Sequence, residues 1–395
     1  MTLRAILSVP AMLAAATGAA AQPAAPPPPA AAKAPPVSAE AKAKIERSRQ
    51  GGERFAAFMA SSRETAKAAG FSGEFGMAYM SQRTAAPATP ALAVAAQNAD
   101  GTSRKANGLW RWASVTKQVV AVLVLQEVQA GKMALDQPIT RYLPDFAAPN
   151  AAKITVRQLL RHQSGLPNPD DSMPGPDGVP SFYQTAAGEP LAYCAGPPKG
   201  NPGGKWDYNN CDYIVAGALL EKVTGKTWQK LVADRIAVPL ALSTLAAYPT
   251  GLPTQSGVNE GKPEAPRDLA RYGAAASLFG SMSDMLKFDL ALANGKLLDR
   301  QRRAQLWDGQ ADLGFIALGQ WVFEAPLKGC AAPVRVVERR GAIGGVQVRN
   351  FILPDQEVAV ALFSDNGDFD FGEIWQGKGL SYDMLSLAAC PQESK

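Results

Sequence analysis

The run Val119–Leu125 places seven residues in a row without a polar side chain, and it begins two residues after the lysine of Ser114-Val115-Thr116-Lys117. A stretch with no polar face must be buried on every side, whether it is helix or strand. The segment from Ser114 to Ala130 is longer than an ordinary strand and is closed by Gly131, which predicts a helix. A helix wrapped all round needs layers to wrap it. The chain can supply them, since 47% of its 395 residues are apolar and 19% charged, enough for a large core in one or two domains.

The flanking patterns indicate what those layers are. Residues 38–68 are rich in Ala, Lys, Glu and Arg with Ile45, Phe55, Phe58 and Met59 interspersed, as in a helix that lays one face on something larger. Strand-like stretches follow at about Glu74–Met80 and Ala91–Ala96. From about 135 to 295 the pattern is helical with long Pro/Gly/Asp loops, and Ser281 and Ser283 stand where N-caps belong. After about residue 312, period-two alternation in GQWVFEAPL, PVRVVER, VQVRNFIL and EVAVALFS predicts consecutive antiparallel strands, before a last helical stretch near Tyr382–Ala389. The expected class is α/β in the α+β sense: an antiparallel sheet built from both ends of the chain, flanked by N- and C-terminal helices, with a mainly helical region inserted.

The first 21 residues, with Arg4 ahead of an Ala-rich run that closes on Ala19-Ala20-Ala21, are expected to be a secretory signal peptide. An uncleaved anchor is the alternative, although the run is short and weakly apolar for a span. Residues 22–37 are a Pro/Ala-rich linker that cannot bury an apolar face. The mature chain, without a transmembrane span, would be periplasmic or secreted. In an oxidising compartment the four cysteines favour two disulfides, Cys194 with the nearby Cys211 and Cys330 with Cys390, against the alternative of four buried thiols. The shorter loop would contribute about 3 kcal/mol by loop entropy.

A single histidine, His162, excludes multi-histidine metal sites, and a net charge of +5 is too slight and too dispersed for a nucleic-acid footprint. No metal, cofactor or nucleic-acid partner is expected. Chemistry must come from Ser, Tyr, Lys, Arg and carboxylates. Ser114-x-x-Lys117, the one Ser-x-x-Lys in the chain, sets a hydroxyl and an amine one helical turn apart, where a desolvated lysine can act as base. Tyr208-Asn209-Asn210 supplies a phenol that can shuttle a proton and an amide that can hold a carbonyl, or else a helix cap beside a packed aromatic. Arg339-Arg340-Gly341-Ala342 closes a late strand with a cation for a carboxylate and a glycine for close approach, or else with two solvated charges on an edge strand.

The order of these three motifs, with WASVTKQ, LDQPITRYLPDF, ITVRQLLRHQSGLP, YNNCDYIVAGALLEKVTG and GSMSDMLKF around them, resembles the serine β-lactamase and penicillin-recognising hydrolase family. The likeness is to its class C, D-alanyl-D-alanine carboxypeptidase, D-aminopeptidase and esterase branch, and runs from roughly residue 70 to the C-terminus. It implies a β-lactamase/transpeptidase-like domain over 38–395, with Ser114 as acylated nucleophile, Lys117 as its partner and Tyr208 as general acid/base. Asn210 would bind the substrate amide, and the backbone N–H groups of Ser114 and Ala342 would form an oxyanion hole. His162, in HQSG, matches a structural position of the family. The third motif departs from the family's Lys-Thr-Gly or His-x-Gly: the register Arg339-Arg340-Gly341 keeps a cation that cannot release its proton, and the shifted register Ala342-Ile343-Gly344 has none.

Two functions follow from the sequence. One is an exported serine hydrolase, a monomer, that attacks an amide or ester of a small-molecule or peptide substrate through an acyl-enzyme. The other, motivated by the altered third motif, is a catalytically silent binding or sensor protein for peptidoglycan-like ligands.

Overall fold

The structure, a computed structural model, describes residues 38–82, 88–184, 189–249 and 254–390. The signal peptide and linker expected over 1–37 lie outside the described residues. Helix α1 (Ala39–Ala68) leads into strands β1 (Gly73–Ser81) and β2 (Thr89–Gln97), followed by helix α2 (Thr116–Gln129). The later part of the chain brings α3 (Asn210–Thr224), α4 (Met282–Ala293), β3 (Trp321–Ala325), β4 (Val334–Ile343), β5 (Val346–Leu353), β6 (Val358–Ser364) and α5 (Leu380–Ala389). The four late strands stand where the alternation predicts them.

Six strands form one antiparallel sheet in the order β2-β1-β6-β5-β4-β3, so the N-terminal hairpin is stitched to the C-terminal meander through β1 and β6. Every residue of β6 is buried. A strand covered on both faces is expected to be apolar, and Val-Ala-Val-Ala-Leu-Phe meets that condition up to Ser364, whose hydroxyl donates to the Ser72 carbonyl. Its side chains divide by pleat: Val358, Val360 and Leu362 join a core with Phe58, Leu380 and Met384 of α1 and α5. Ala359, Ala361 and Phe363 join the larger core that contains α2, α3 and α4. The alanines on that second face let a helix lie close against the sheet.

The α2 segment is enclosed as its composition requires: residues 111–125 are all buried. Ser114 is not yet in the α-helix. It sits in a preceding 3-10 turn, Ala113–Val115, where the Thr116 hydroxyl donates to the Ala113 carbonyl and Ala113 holds the left-handed φ of 47°. Positive φ at a residue other than glycine costs local strain.

The region from 135 to 295 has α3 and α4 as its long helices, joined by short helical turns and by strand pieces that the sequence reading omitted. Leu278–Gly280 pairs with both Trp110–Arg111 and Ala246–Ala247 in a small second sheet. These pieces are too short to show periodicity. Ser281 caps α4 by accepting from the Asp284 N–H, but Ser283 lies inside the helix and donates to Asn107. Two disulfides form, Cys194–Cys211 and Cys330–Cys390, with Cα separations of 5.4 and 5.1 Å. The first joins α3 to the short helix Pro190–Cys194, and the second ties the end of α5 to the β3–β4 connection.

Candidate active site

Three side chains from two distant segments meet at the head of α2. The Lys117 amine lies 3.2 Å from Ser114 Oγ and 2.7 Å from the Tyr208 hydroxyl, and those two hydroxyls are 2.5 Å apart. Asn210 Oδ1 accepts from Lys117 Nζ at 2.6 Å, and the Ala275 carbonyl faces the same nitrogen at 3.1 Å. Four oxygens around one amine exceed the three donors of an ammonium. A neutral amine, with two N–H groups and one lone pair, also makes only three hydrogen bonds, so one of the four contacts is left over in either state. Burial pushes Lys117 well below the ordinary lysine range, and the nearby Arg339 charge adds to this, opposed by Asp170 and Asp212.

Tyr208 is held by its backbone. Asn168 Nδ2 donates to the Tyr208 carbonyl, the Asp207 N–H donates to the His162 carbonyl, and Asn209 caps α3 through the Cys211 N–H while its Nδ2 donates to the Leu166 carbonyl. The loop 162–168 thus cradles 207–210, and the disulfide at Cys211 fixes the next residue. Burial raises the Tyr208 phenol, while the Arg339 charge and the hydrogen bond with Ser114 pull it back down.

His162 is fully buried and serves this cradle. Its Nδ1 lies 3.0 Å from Asp212 Oδ2, its ring is 4.8 Å from that of Tyr208, and it makes no bond to Ser114. Burial holds its pKa well below the usual histidine range, with the Lys117 and Arg339 charges acting in the same direction. The Asp212 carboxyl is pushed well up by burial, against its hydrogen bond from Ser164.

Of the two registers of the third motif, the one from Arg339 to Gly341 lies beside Ser114. A Cβ at Gly341 would stand 2.6 Å from the Trp112 carbonyl and 3.1 Å from the Ser114 N–H, so only glycine lets β4 approach the Ala113–Val115 turn this closely. Gly344, the glycine of the shifted register, lies instead in the β4–β5 turn beside Glu264. Pairing with β3 ends at Glu338, which leaves 339–343 without a strand partner on that side and Ala342 exposed there.

The two arginines are not the pair of solvated charges on an edge strand that one of the two readings offered. Arg339 is 1% exposed, donates through Nε to the Ser114 carbonyl at 2.8 Å, and lies over the rings of Tyr208 and Trp321. Its Nη2 reaches the Tyr208 hydroxyl at 3.4 Å. Arg340 points to the other face, paired with Glu338 and Glu373. Neither is a solvated charge, and Arg339 Nη1 is buried without a hydrogen-bond partner among the described residues.

Sequence reasoning missed Asp170 and Tyr183. Asn210 Nδ2 donates to both oxygens of Asp170 and to the Tyr183 hydroxyl, so both ends of the Asn210 amide are engaged within the protein. No spacing rule joins a Pro-Asp-Asp turn to Tyr208 and Asn210 some forty residues away.

The Beta-lactamase family model matches residues 68–375. Among curated relatives, a putative penicillin-binding protein of Bacillus subtilis is 25% identical over 64% of this chain and 61% of its own length. An esterase of Burkholderia gladioli, EstB, is 32% identical over 36% of this chain and 39% of its own. The chain thus spans less than two thirds of the length of each of these relatives. Among solved structures, a D-stereospecific amidohydrolase from a Streptomyces species superposes with a TM-score of 0.64 at 23% identity, covering 84% of this chain and 98% of that one. The D-amino acid amidase of Ochrobactrum anthropi gives 0.65 at 21%, over 84% and 97%. These likenesses establish the shared fold. With the family model spanning most of the described domain, the chain belongs to the beta-lactamase family of serine hydrolases.

Proposed function

We propose that the protein is an exported hydrolase that cleaves an amide or ester through an acyl-enzyme on Ser114. The observation that carries this reading is the mutual contact of Ser114 Oγ, Lys117 Nζ and the Tyr208 hydroxyl. In the forward step neutral Lys117, directly or through Tyr208, takes the proton of Ser114 as Oγ bonds to the carbonyl carbon. The oxyanion that forms is held by the N–H groups of Ser114 and Ala342, at the end of β4 that Gly341 brings against the nucleophile turn. Tyr208 returns the proton to the leaving amine or alcohol, and water then releases the acyl group by the same route. Arg339 cannot release a proton, so it acts by charge and by holding the Ser114 carbonyl. That suits acyl transfer on esters and peptides better than efficient β-lactam hydrolysis. Export is supported by the N-terminal run and by two disulfides.

Purified protein is expected to be labelled by a fluorophosphonate probe and to hydrolyse a short p-nitrophenyl ester. Both should vanish in Ser114→Ala, with turnover falling about 1,000-fold or more. Labelling that survives in Ser114→Ala removes this serine from the mechanism. A correctly folded wild type that turns over no ester or amide would favour the silent binding protein.

A further inference from the structure

His162 holds the chain on both sides of Tyr208. Its carbonyl accepts from the Asp207 N–H at 2.9 Å, and its ring Nδ1 accepts from the Asn209 N–H at 3.3 Å. The residue stands at a left-handed φ of 58°, which a side chain other than glycine keeps only where its surroundings enforce it. The ring is fully buried, so what it can hold depends on which nitrogen carries the proton.

The neighbours fix that proton. Nδ1 lies 3.0 Å from Asp212 Oδ2, too close for two lone pairs to face each other, so one proton lies between them. A proton on Nδ1 leaves no lone pair for Asn209 and sets two N–H groups against each other at 3.3 Å. With the proton on Oδ2, Nδ1 keeps its lone pair and shares it between the acid O–H and the Asn209 N–H. Asp212 Oδ1 accepts from the Ser164 hydroxyl, which in turn accepts from the Leu166 N–H. Asp212 stands in the first turn of α3, where an anion is favoured, but no backbone N–H reaches its oxygens among the described residues, and Asn209 takes the Cys211 N–H. Burial disfavours both an Asp212 anion and a His162 cation. Lys117 favours the anion and Asp207 opposes it, while Lys117 and Arg339 both oppose the cation.

We infer that Asp212 is a positioning residue that works as a neutral carboxylic acid: it donates to His162 Nδ1, and the pair fixes Tyr208 without setting an anion beside Lys117. The service to Tyr208 and Lys117 rests on the reading of Ser114 as nucleophile, whereas the place of the proton does not. An anion at Asp212 would favour the ammonium form of Lys117, which cannot take the Ser114 proton. The acid keeps the hydrogen bond and removes that charge.

His162 is the one histidine of the chain, so its proton can be read directly. Untagged protein carrying nitrogen-15-labelled histidine should show, by NMR at neutral pH, a protonated Nε2 and a bare Nδ1. A proton on Nδ1, alone or together with one on Nε2, overturns the inference. Turnover of a neutral p-nitrophenyl ester tests the consequence. Asp212→Ala should lower kcat at least about 10-fold with KM little changed, and Asp212→Asn, whose amide can donate to Nδ1 and accept from Ser164, should recover most of that loss. The acidic limb of kcat/KM in Asp212→Asn should coincide with that of wild type, because no charge has been removed. A limb moved to lower pH would reveal a lost anion and overturn the inference. An Asp212→Asn no better than Asp212→Ala, or a folded Asp212→Ala with wild-type kcat, overturns it as well. If Asp212→Ala fails to fold, the limb of Asp212→Asn and the histidine spectrum decide. Absence of turnover by wild type would sink the hydrolase reading, while the histidine spectrum would still decide where the proton lies.

Discussion

Arg339 shows how much one residue can set in this site. Its charge pushes Lys117 down and pulls Tyr208 down, and its Nε holds the Ser114 carbonyl. If neutral Lys117 is the base, activity rises with pH through its titration. Removing the neighbouring positive charge must raise the pKa of Lys117, so the acidic limb of kcat/KM in Arg339→Gln should move to higher pH. An acidic limb that stays put, measured on a neutral ester, would assign it to another group. Gly341 is the steric counterpart. Gly341→Ala places a methyl group 2.6 Å from the Trp112 carbonyl and must part β4 from the Ala113–Val115 turn. With Ser114 and Ala342 no longer facing one oxyanion, kcat should fall about 100-fold while folding, followed by circular dichroism, is largely kept. A kcat within a few-fold of wild type would place the oxyanion site elsewhere. Both residues belong to a motif visible in the sequence, but their division of labour is not. Alternation along β4 sends Arg339 to the site and Arg340 to the opposite face, and that depends on which face of β4 is covered by which layer.

At the scale of elements, α2, α4 and β5 share a buried polar contact behind the site. Asn350 Nδ2 donates to Gln118 Oε1 at 3.0 Å and to Asp289 Oδ1 at 2.9 Å, and Asp289 is fully buried. Burial pushes the Asp289 carboxyl well above the ordinary range, and the Asn350 hydrogen bond only partly offsets this. A carboxyl whose folded pKa is raised stabilises the fold below its unfolded pKa of about 4, and that contribution is lost as pH rises toward the folded value. At neutral pH the site is therefore a cost. Asp289→Asn keeps an acceptor for Asn350, so it should raise Tm by a few degrees at pH 7 to 8, with the gain shrinking toward pH 4. A Tm lowered at pH 7 to 8, and more so than near pH 4, would show that this carboxylate is needed as an anion. Element by element, the sequence was informative where the pattern was long. The all-apolar α2 and the alternating β3 to β6 were legible because burial imposes a periodicity on many residues at once. The 3-10 turn at Ser114 and the three-stranded small sheet were not, since pieces of two or three residues carry no period.

Over the whole molecule, the chain is closed by contacts between distant parts: β1 pairs with β6, and Cys330 is joined to Cys390 across 60 residues. Loop entropy gives that second disulfide about 4 kcal/mol, against about 3 for Cys194–Cys211. The two should be separable by function. Cys330→Ser with Cys390→Ser should lower Tm with little change in kcat, because that link anchors α5 on the sheet face opposite the site. Cys194→Ser with Cys211→Ser should lower both, because Cys211 follows Asn210 directly. Equal effects on kcat would show that the first disulfide does not brace the site. The sequence by itself determined the long elements and the local pairs of the site: Ser114 with Lys117 and Tyr208 with Asn210 are set by offsets of three and two residues along one segment, which local structure alone can align. Tertiary structure decided what those pairs meet. Bringing Tyr208 to Ser114, burying Arg339 against the Ser114 carbonyl and turning Asp170 toward Asn210 required loops and strands far apart in the chain to pack together. That packing depends on the joint burial of many side chains, so no short stretch of sequence contains it.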